Sequence, residues 1–322
     1  MNTFGKKFKV SIFGESHGPQ IGIVLDGVPH GISLCEDDFS CDIARRAPGA
    51  TGTTPRKEAD QPQLLSGLFE GHTTGAPLAI SFVNGNTRSS DYSEFIAKPR
   101  PGHADYVASV KWDGDNDPRG GGHFSGRITL PIVAAGVVAK KALEGISFEA
   151  SLIEIGGCSE KGRWEELLKE TALAGDSIGG VVECVVSGLP VGLGEPFFDS
   201  VESLISHAMF AIPGVRGVEF GDGFASARMK GSEHNDPFGP EGRPAKNGAG
   251  GVNGGITNGA PLVFRVAFKP TASIAQAQQT WNYAEEKMDE LKVKGRHDVC
   301  FALRTPVIVE AMAAIVLADL MM

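Results

Sequence analysis

Two short motifs occur twice in this chain of 322 residues, and in the same order. The first reads Gly-apolar-Pro-x-Gly-apolar and lies at 27–32 and 188–193, each time after an apolar run typical of a strand. The second lies at 71–78 and 255–262, and its copies share Gly, Thr, Gly, Ala, Pro and Leu. A common order with equivalent neighbours favours duplication over coincidence. The chain is therefore predicted to be a single domain, 1–322, with two similar halves.

The halves are predicted at about 1–155 and 175–322, each an antiparallel sheet with long helices packed against it. Each half reaches a long apolar helix that is entered near a proline, Pro131 or Pro306. Strands precede Pro-marked turns rather than alternating strictly with helices, which disfavours a doubly wound parallel sheet. The predicted fold class is α+β, with one shared core.

Capping-box patterns predict where the first helix of each half begins. Ser33 is followed three residues later by Glu36, and Asp199 is followed in the same way by Glu202. Such pairs satisfy free backbone N–H groups in the first turn of a helix. Amphipathic helices are expected to follow both pairs.

Composition indicates a soluble enzyme with a small-molecule substrate. The formal net charge of −9 disfavours nucleic acid as a partner, because phosphate backbones require a basic face. No basic apolar leader opens the chain, and Glu310 and Asp319 interrupt its most apolar segment, so no membrane association and a cytoplasmic location are expected. The five scattered cysteines form no CxxC pair, so neither a disulfide framework nor a metal site is indicated.

The run 14–18, Gly-Glu-Ser-His-Gly, places a carboxylate, a hydroxyl and an imidazole on one turn. It has the spelling of a serine-hydrolase nucleophile elbow, which requires a strand, a sharp turn and then a helix. A strand-like run at 7–13 precedes it, but a second apolar run at 21–25 follows without a helix start. A polar hairpin turn is therefore favoured locally. A serine hydrolase that uses Ser16 and His17 is the alternative.

Basic residues beside flexible turns are candidates for binding anions. Arg45 and Arg46 end the first predicted helix and precede a loop that Arg56 closes. They could bind phosphate or carboxylate groups, or simply stabilise a helix C-terminus. The glycine-rich run 119–127 enters a predicted helix at 128–143, which makes it a candidate anion cradle. A structural glycine turn is the alternative there.

Four more turns carry residues that suit catalysis or ligand binding. His103 lies in the turn 100–105 and is either a base or a solvent-facing residue. The run 269–273 offers a lysine and two hydroxyls that suit a phosphate or a flavin edge, and 296–298 pairs an arginine with an aspartate. That pair is either functional or a salt-bridged cap. The glycine-rich run 248–255 holds no strict GxGxxG, so dinucleotide binding is disfavoured.

Together these motifs resemble the chorismate synthase family over essentially the whole chain. Three signatures carry the likeness: 14–18 continuing through 26–29, Ser125-Gly126-Arg127 with its helix, and 296–298 continuing to Glu310-Ala311. The runs 100–105 and 269–271 agree as well. The resemblance implies a homotetramer. It also implies a β-α-β sandwich in which two antiparallel sheets enclose long helices about an internal pseudo-twofold axis.

The resemblance implies a carbon–oxygen lyase that acts on a small anionic phosphate. The reaction would be the trans-1,4-elimination of phosphate from 5-enolpyruvylshikimate 3-phosphate to give chorismate, the last step of the shikimate pathway of aromatic amino acid biosynthesis. Reduced FMN would be required but not consumed. An external flavin reductase is expected to supply it, because no long insertion offers a nicotinamide site. Reduction of the flavin by this chain with NADPH is the open alternative.

The resemblance also implies roles for individual residues. His17 would protonate or hold the flavin near N1, His103 would act beside the substrate, and Asp298 would help at flavin N5. Ser16 and Ser125 would order this catalytic network. The implied substrate-binding residues are Arg45, Arg46, Arg56, Arg127 and Arg296. The implied cofactor-binding residues are His123, Phe124, Ser125, Gly254, Lys269, Pro270, Thr271, Ala272, Ser273 and Arg296.

The sequence departs from the common family pattern at three places. His123-Phe124-Ser125-Gly126-Arg127 stands where many members carry Arg-Ser-Ser-Ala-Arg, which leaves open a side-chain contact of the first two residues with flavin. The loop after Gly49 is shorter and lacks an arginine near Gly52, which Arg56 could replace. Pro213-Gly214 stands where many members carry Asn-Ala, so only backbone contact is expected there.

Overall fold

Two antiparallel sheets face each other across a layer of helices. The computed structural model describes residues 1–49, 51–54, 59–85, 94–240, 242–295 and 297–322. The strands are β1 (Thr3–Phe4), β2 (Lys9–Gly14), β3 (Gln20–Asp26), β4 (Gln63–Ser66), β5 (Leu68–Phe69), β6 (His72–Thr73), β7 (Leu78–Val83), β8 (Ser147–Ile155), β9 (Gly180–Ser187), β10 (Val215–Phe220), β11 (Val252–Asn253), β12 (Ile256–Thr257), β13 (Leu262–Phe268), β14 (Gln278–Asn282) and β15 (Lys287–Leu291). The α-helices are α1 (Ser40–Arg46), α2 (Asp105–Lys111), α3 (Thr129–Ala142), α4 (Trp164–Leu173), α5 (Val201–Phe210), α6 (Gly231–His234) and α7 (Pro306–Met321).

The strand orders of the two sheets show the duplication. The first sheet runs β1-β2-β3-β7-β4 and the second runs β10-β13-β9-β8. The series β2-β3-β7-β4 and β8-β9-β13-β10 therefore follow the same path. In chain order, the first and second strands of each series are neighbours, the fourth strand pairs with the second, and the third pairs with the fourth. All of these pairs are antiparallel. The α+β class with two similar halves is confirmed.

Helices α3 and α7 form the centre of the sandwich. Helix α3 packs on β3 and β7, helix α7 packs on β8 and β9, and the two helices pack on each other. Both are buried over most of their length, as expected for helices that are apolar on all sides. Gly136 allows their close approach, because a Cβ at this position would lie 2.3 Å from the Cβ of Ala311.

The two repeated motifs contact each other within each half, and a threonine joins them. The hydroxyl of Thr73 accepts a hydrogen bond from the Ile32 N–H at 2.9 Å and donates one to the Pro29 carbonyl at 2.6 Å. In the second half the hydroxyl of Thr257 accepts from Leu193 N–H at 2.9 Å and donates to the carbonyl of the preceding motif's proline at 2.7 Å. The shared threonine of the second motif therefore fixes the first motif in both halves.

Replacing either threonine by valine is expected to destabilise the fold by a similar amount. Valine keeps the shape but removes the hydrogen-bonding partner of a part-buried N–H and of a carbonyl, which costs about 1 kcal/mol. Chemical denaturation of Thr73→Val and Thr257→Val measures the free energy of unfolding. Thr74→Val is the control, because Thr74 is exposed. A loss in only one of the two buried variants would contradict the equivalence of the halves.

Three details of the halves differ from the sequence-based expectation. Strand β8, which a boundary at about 155 assigned to the first half, pairs with β9 in the second sheet. The first capping box uses Cys35, whose N–H donates to the Asp38 carboxylate at 2.8 Å, rather than Ser33 and Glu36. Helix α5 is capped by Ser200 rather than by Asp199, whose carboxylate instead pairs with Lys6 at 2.6 Å.

A buried carboxylate connects the helix layer to the second sheet. Glu310 on α7 accepts hydrogen bonds from both terminal nitrogens of Arg45 at 2.8 and 2.6 Å, from Lys140 at 2.8 Å and from the Ala150 N–H at 2.9 Å. Burial raises the pKa of Glu310, but the hydrogen bonds from Arg45 and Lys140 outweigh it and hold this pKa below its ordinary value. The charged form of Glu310 therefore stabilises the fold.

Glu310→Gln is expected to lower the free energy of unfolding by about 1–3 kcal/mol at neutral pH, because two cations lose their charged acceptor. The folded pKa is depressed, so this contribution is full above the unfolded value of about 4.3 and is lost as the pH falls through the folded value. Denaturation curves at several pH values should therefore show a smaller difference between the variant and wild type in acid. Glu144→Gln, at an exposed site, is the control. A pH-independent difference would contradict the charge-based explanation.

Candidate functional site

A cavity of about 980 Å³ lies between the two halves. The first half supplies residues of β1 and β2 and the start of α3, and the second supplies the end of α5, the loop after β13 and residues 297–304. Small-molecule sites commonly occupy about 300–1,000 Å³, so this volume is large for a single ligand. The cavity has the size expected for a substrate and a cofactor together.

Most of the candidate residues from the sequence meet in this cavity. Those that line it are Ser16, Arg46, His103, His123, Phe124, Ser125, Arg127, Lys269, Pro270, Thr271, Ala272, Ser273 and Asp298. Arg56 and Arg296 lie outside the described residues. His17, Arg45 and Gly254 do not line the cavity, and their positions are described below.

Three consecutive glycines form the wall between the two candidate imidazoles. Gly120, Gly121 and Gly122 have φ values of 60, 80 and 53°, in the left-handed region that favours glycine. A Cβ on Gly120 would lie 2.7 Å from His17 Cδ2, and one on Gly121 would lie 3.4 Å from His103 Nε2. The run predicted as an anion cradle thus brings its backbone against both histidines.

His17 lies directly behind Ser16 in the turn between β2 and β3, and both are buried. The Ser16 N–H donates to the Gly122 carbonyl at 3.1 Å, which holds the turn against the glycine wall. The interpretation of this turn as a nucleophile elbow is wrong, because the chain passes from β2 through the turn into the antiparallel strand β3 rather than into a helix.

Arg45 and Gly254 were candidates that the fold places elsewhere. The guanidinium of Arg45 binds Glu310, so its position at the C-terminus of α1 serves the helix layer rather than the cavity. Gly254 forms the turn between β11 and β12 and is not among the residues that line the cavity. In the part of the chain that the structure describes, neither residue lines the cavity.

Arg46 and Arg127 share the carboxylate of Asp60. A terminal nitrogen of Arg46 lies 3.3 Å from one Asp60 oxygen, and a terminal nitrogen of Arg127 lies 2.5 Å from the other. Burial, and the nearby positive charges of Arg304 and Arg127, lower the pKa of Arg46 to about 9. Burial and the neighbouring cations make it costly to keep this group charged, and a bound anion would offset that cost.

Asp298 is held by Thr54 and by Arg304. Its carboxylate accepts from the Thr54 N–H at 2.8 Å and from a terminal nitrogen of Arg304 at 3.1 and 3.2 Å. The Nε of Arg304 donates to the Arg46 carbonyl at 3.0 Å, which ties Asp298 to the arginine cluster. Sequence reasoning overlooked Arg304 and Asp60, because neither lies in a glycine-rich or histidine-containing motif.

Residues 123–125 line the cavity, and His123 also contacts the first residue of the turn 14–18. His123 Nδ1 lies 2.7 Å from the Gly14 carbonyl, and Nε2 lies 3.2 Å from Asn2 Oδ1. Phe124 is 42% exposed and stacks at a tilt on Trp112, with 5.8 Å between ring centroids. The Ser125 hydroxyl accepts from the Arg127 N–H at 3.3 Å and so caps the short 3-10 helix before α3.

Two loops of the cavity are fastened to each other near His103. Lys269 Nζ donates to the Gly102 carbonyl at 2.5 Å, and Arg100 donates to the Ser273 hydroxyl at 3.0 Å. Burial, and next the charge of Arg216, lower the pKa of Lys269. The loop that carries His103 and the run 269–273 therefore form one wall.

Two buried hydroxyls that line the cavity, those of Ser16 and Thr271, make no hydrogen bond within the described residues. Buried polar groups are usually paired, so hydroxyls of this kind at a cavity are available to a ligand. One comes from the first half and the other from the second.

Over nearly its whole length the chain is similar to proteins of a single family. The sequence profile of the chorismate synthase family matches residues 8–322. This chain belongs to the chorismate synthase family. It is 58% identical to the chorismate synthase of Chitinophaga pinensis over 324 residues, which cover 100% of this chain and 97% of that protein. It is 45% identical to the chorismate synthase of Korarchaeum cryptofilum over 348 residues, with 99% and 96% covered.

A solved chorismate synthase has the same fold. The crystal structure of that enzyme superposes with a TM-score of 0.76 at 27% identity, covering 98% of this chain and 92% of the other. The members of the chorismate synthase family are lyases, and the alternative of a serine hydrolase finds no support. Among the described residues, no helix combines the length and hydrophobicity that crossing a bilayer requires.

Proposed function

We propose that this chain eliminates phosphate from 5-enolpyruvylshikimate 3-phosphate to give chorismate, with reduced FMN as cofactor. The observation that carries the proposal is the meeting of His103, the glycine wall before His17, and the arginine cluster in one cavity between the halves. Family membership supports the reaction class. The geometry supports the individual roles proposed below.

Anion binding is proposed for the arginine cluster. In the described part of the chain, three guanidinium groups, those of Arg46, Arg127 and Arg304, meet two carboxylates, those of Asp60 and Asp298, and burial makes the positive charge of Arg46 costly. All three arginines line the cavity and are buried. The phosphate or carboxylate of the substrate would offset this charge in a site of low dielectric, where such pairing is strong. We expect Arg296 to add to this set.

The cavity suits a flavin on the side formed by the run 269–273. This run supplies Lys269 as a cation and Thr271 as a hydroxyl without a partner in the described part of the chain, and Ser16 offers a second one opposite. When bound, reduced FMN would lend electron density while phosphate leaves and recover it afterwards, so no net oxidation occurs. His123 and Phe124 would close another side of the cofactor site.

Proton control is proposed for three side chains. The elimination removes one proton from the ring as the carbon–oxygen bond to phosphate breaks, so a base must stand beside the substrate. His103 lines the cavity and is proposed to act there. His17 is proposed to hold a proton near flavin N1 from behind the glycine wall, and Asp298, fixed by Arg304, one near N5. Ser16 and Ser125 would order this network.

An anaerobic assay tests the proposal. The purified chain, reduced FMN and 5-enolpyruvylshikimate 3-phosphate should release phosphate and chorismate in equal amounts, whereas oxidised FMN alone should support no turnover. Formation of chorismate is followed by its absorbance and by chromatography. Absence of product under reducing conditions would overturn the proposed function.

Location, assembly and the source of electrons are also proposed. We place the chain in the cytoplasm as a homotetramer and expect an external flavin reductase to supply reduced FMN. Gel filtration with light scattering tests the tetramer. An assay with NADPH as sole reductant and oxidised FMN should give no chorismate until a flavin reductase is added, and turnover without the reductase would contradict that dependence.

A further inference from the structure

His103 stands in the wall between two cavities, and Asp105, which lines one of them, contacts it. The second cavity is smaller, about 470 Å³, and His103 lines both cavities whereas Asp105 lines only the smaller one. The Oδ1 atom of Asp105 lies 2.6 Å from Nδ1 of His103. The carboxylate therefore reaches the imidazole without facing the place proposed for the substrate.

The carboxylate of Asp105 is itself held firmly by Arg100. Oδ2 accepts from the Arg100 backbone N–H at 3.1 Å and from its Nε at 2.8 Å, and Oδ1 accepts from Nη2 at 2.7 Å. Burial raises the pKa of Asp105, but the hydrogen bonds from Arg100 and His103 outweigh it and hold this pKa well below its ordinary value. Asp105 is therefore an ionised group that can only accept hydrogen bonds.

This arrangement decides which nitrogen of His103 carries the proton. Nδ1 lies 2.6 Å from Oδ1 of Asp105, which can only accept, so Nδ1 donates to this oxygen; Nη2 of Arg100, 3.1 Å from Nδ1, donates to the same oxygen. Nδ1 must then be protonated in the neutral ring. Nε2 makes no hydrogen bond to the described part of the chain and is left as the basic atom.

We propose that Asp105 is a positioning residue that fixes neutral His103 in the Nδ1-protonated form and so presents Nε2 as the base. This inference rests on the proposed role of His103 beside the substrate. It adds a carboxylate–imidazole pair to the site, in the arrangement by which a buried acid sets the tautomer of a catalytic histidine. Arg100 in turn holds the acid and, through Ser273, joins it to the run proposed to bind flavin.

Asp105→Asn gives a sharp test because the direction of its effect follows from the geometry. Two donors of Arg100 face the Oδ2 position and one faces the Oδ1 position, so we expect the amide oxygen at Oδ2 and the NH2 group at Oδ1. That NH2 group then faces Nδ1 of His103, which has to accept. The variant is expected to move the proton to Nε2.

Nitrogen NMR of protein labelled at histidine reads the tautomer without any substrate or cofactor. The chain has eight histidines, so the signal of His103 is identified by its loss in His103→Gln. We expect the Nδ1-protonated form in wild type and the Nε2-protonated form in Asp105→Asn. Asp113→Asn, at an exposed residue of the same smaller cavity, should leave the wild-type form unchanged. An Nε2-protonated ring in wild type would overturn the inference whether or not the variant folds.

Measurement of kcat and KM separates an effect on the position of His103 from an effect on substrate binding. In Asp105→Asn, kcat is expected to fall about a hundredfold or more, while KM changes little because Asp105 lies outside the main cavity. An unchanged tautomer or an unchanged kcat in the folded variant would overturn the inference. If wild type forms no chorismate, the proposed function fails while the tautomer measurement still stands, so the two failures are distinguishable.

Discussion

His103→Ala and His17→Ala are each expected to lower kcat by about a hundred- to ten-thousandfold, the usual contribution of a general acid or base. The dissociation constant of FMN should change much less, because most of the proposed flavin contacts come from the run 269–273, Ser16, His123 and Phe124. Stopped-flow or steady-state assays under anaerobic conditions give kcat, and fluorescence titration gives the FMN affinity. The two variants act on opposite sides of one glycine wall, so both sides are tested independently.

His30→Ala is the matched control, because this histidine is exposed and belongs to a repeated structural motif instead of the cavity. Its kcat should stay near that of wild type. Circular dichroism must show that all three variants are folded. Near-normal kcat in both His103→Ala and His17→Ala would mean that the proposed proton-transfer roles are wrong.

Gly120→Ala is expected to lower kcat by about a hundredfold, because small displacements of catalytic groups can cost that much. Its Cβ would lie 2.7 Å from both Ser16 Oγ and His17 Cδ2, closer than such atoms can approach. The new methyl group must therefore push the imidazole and the hydroxyl out of place, or move the glycine wall toward the cavity.

Gly145→Ala separates this contact from backbone strain. Both glycines have positive φ, 60° at Gly120 and 79° at Gly145, so both substitutions carry a backbone cost of about 1 kcal/mol. A Cβ at Gly145, however, would meet nothing within 4 Å. Thermal melting should show a loss of stability in both variants and the kinetic assay a loss of kcat in Gly120→Ala alone. Equal activity of the two variants would show that the wall does not position His17.

The duplicated motifs were sufficient to predict two similar halves, because a repeat records a shared backbone path directly. The apolar pattern at 128–143 placed α3 within one residue of its observed bounds. The helix starts were less certain. Asp199 has the right chemistry for a cap, but its carboxylate is taken by Lys6, and Ser200, one residue later, faces the free N–H group of Ser203.

The site was predictable as a set of segments but only partly as a set of contacts. Arg45 and Arg46 are neighbours in sequence, but consecutive residues lie on different faces of a helix. Arg45 therefore binds Glu310, whereas Arg46 lines the cavity. Asp60 and Arg304 escaped notice, because they act through partners that are distant in the chain. A local motif cannot report such a partner.

By itself the sequence determined the repeat, the fold class, the family and most of the residues that meet in the cavity, because these depend on local spacing and residue chemistry. Only the tertiary structure decided that three glycines separate His17 from His103, that Asp60 joins two arginines, and that the carboxylate of Asp105 contacts Nδ1 of His103. These relations join side chains across loops and sheets. They arise from how the two halves pack, and packing fixes distances and burial that no spacing along the chain contains.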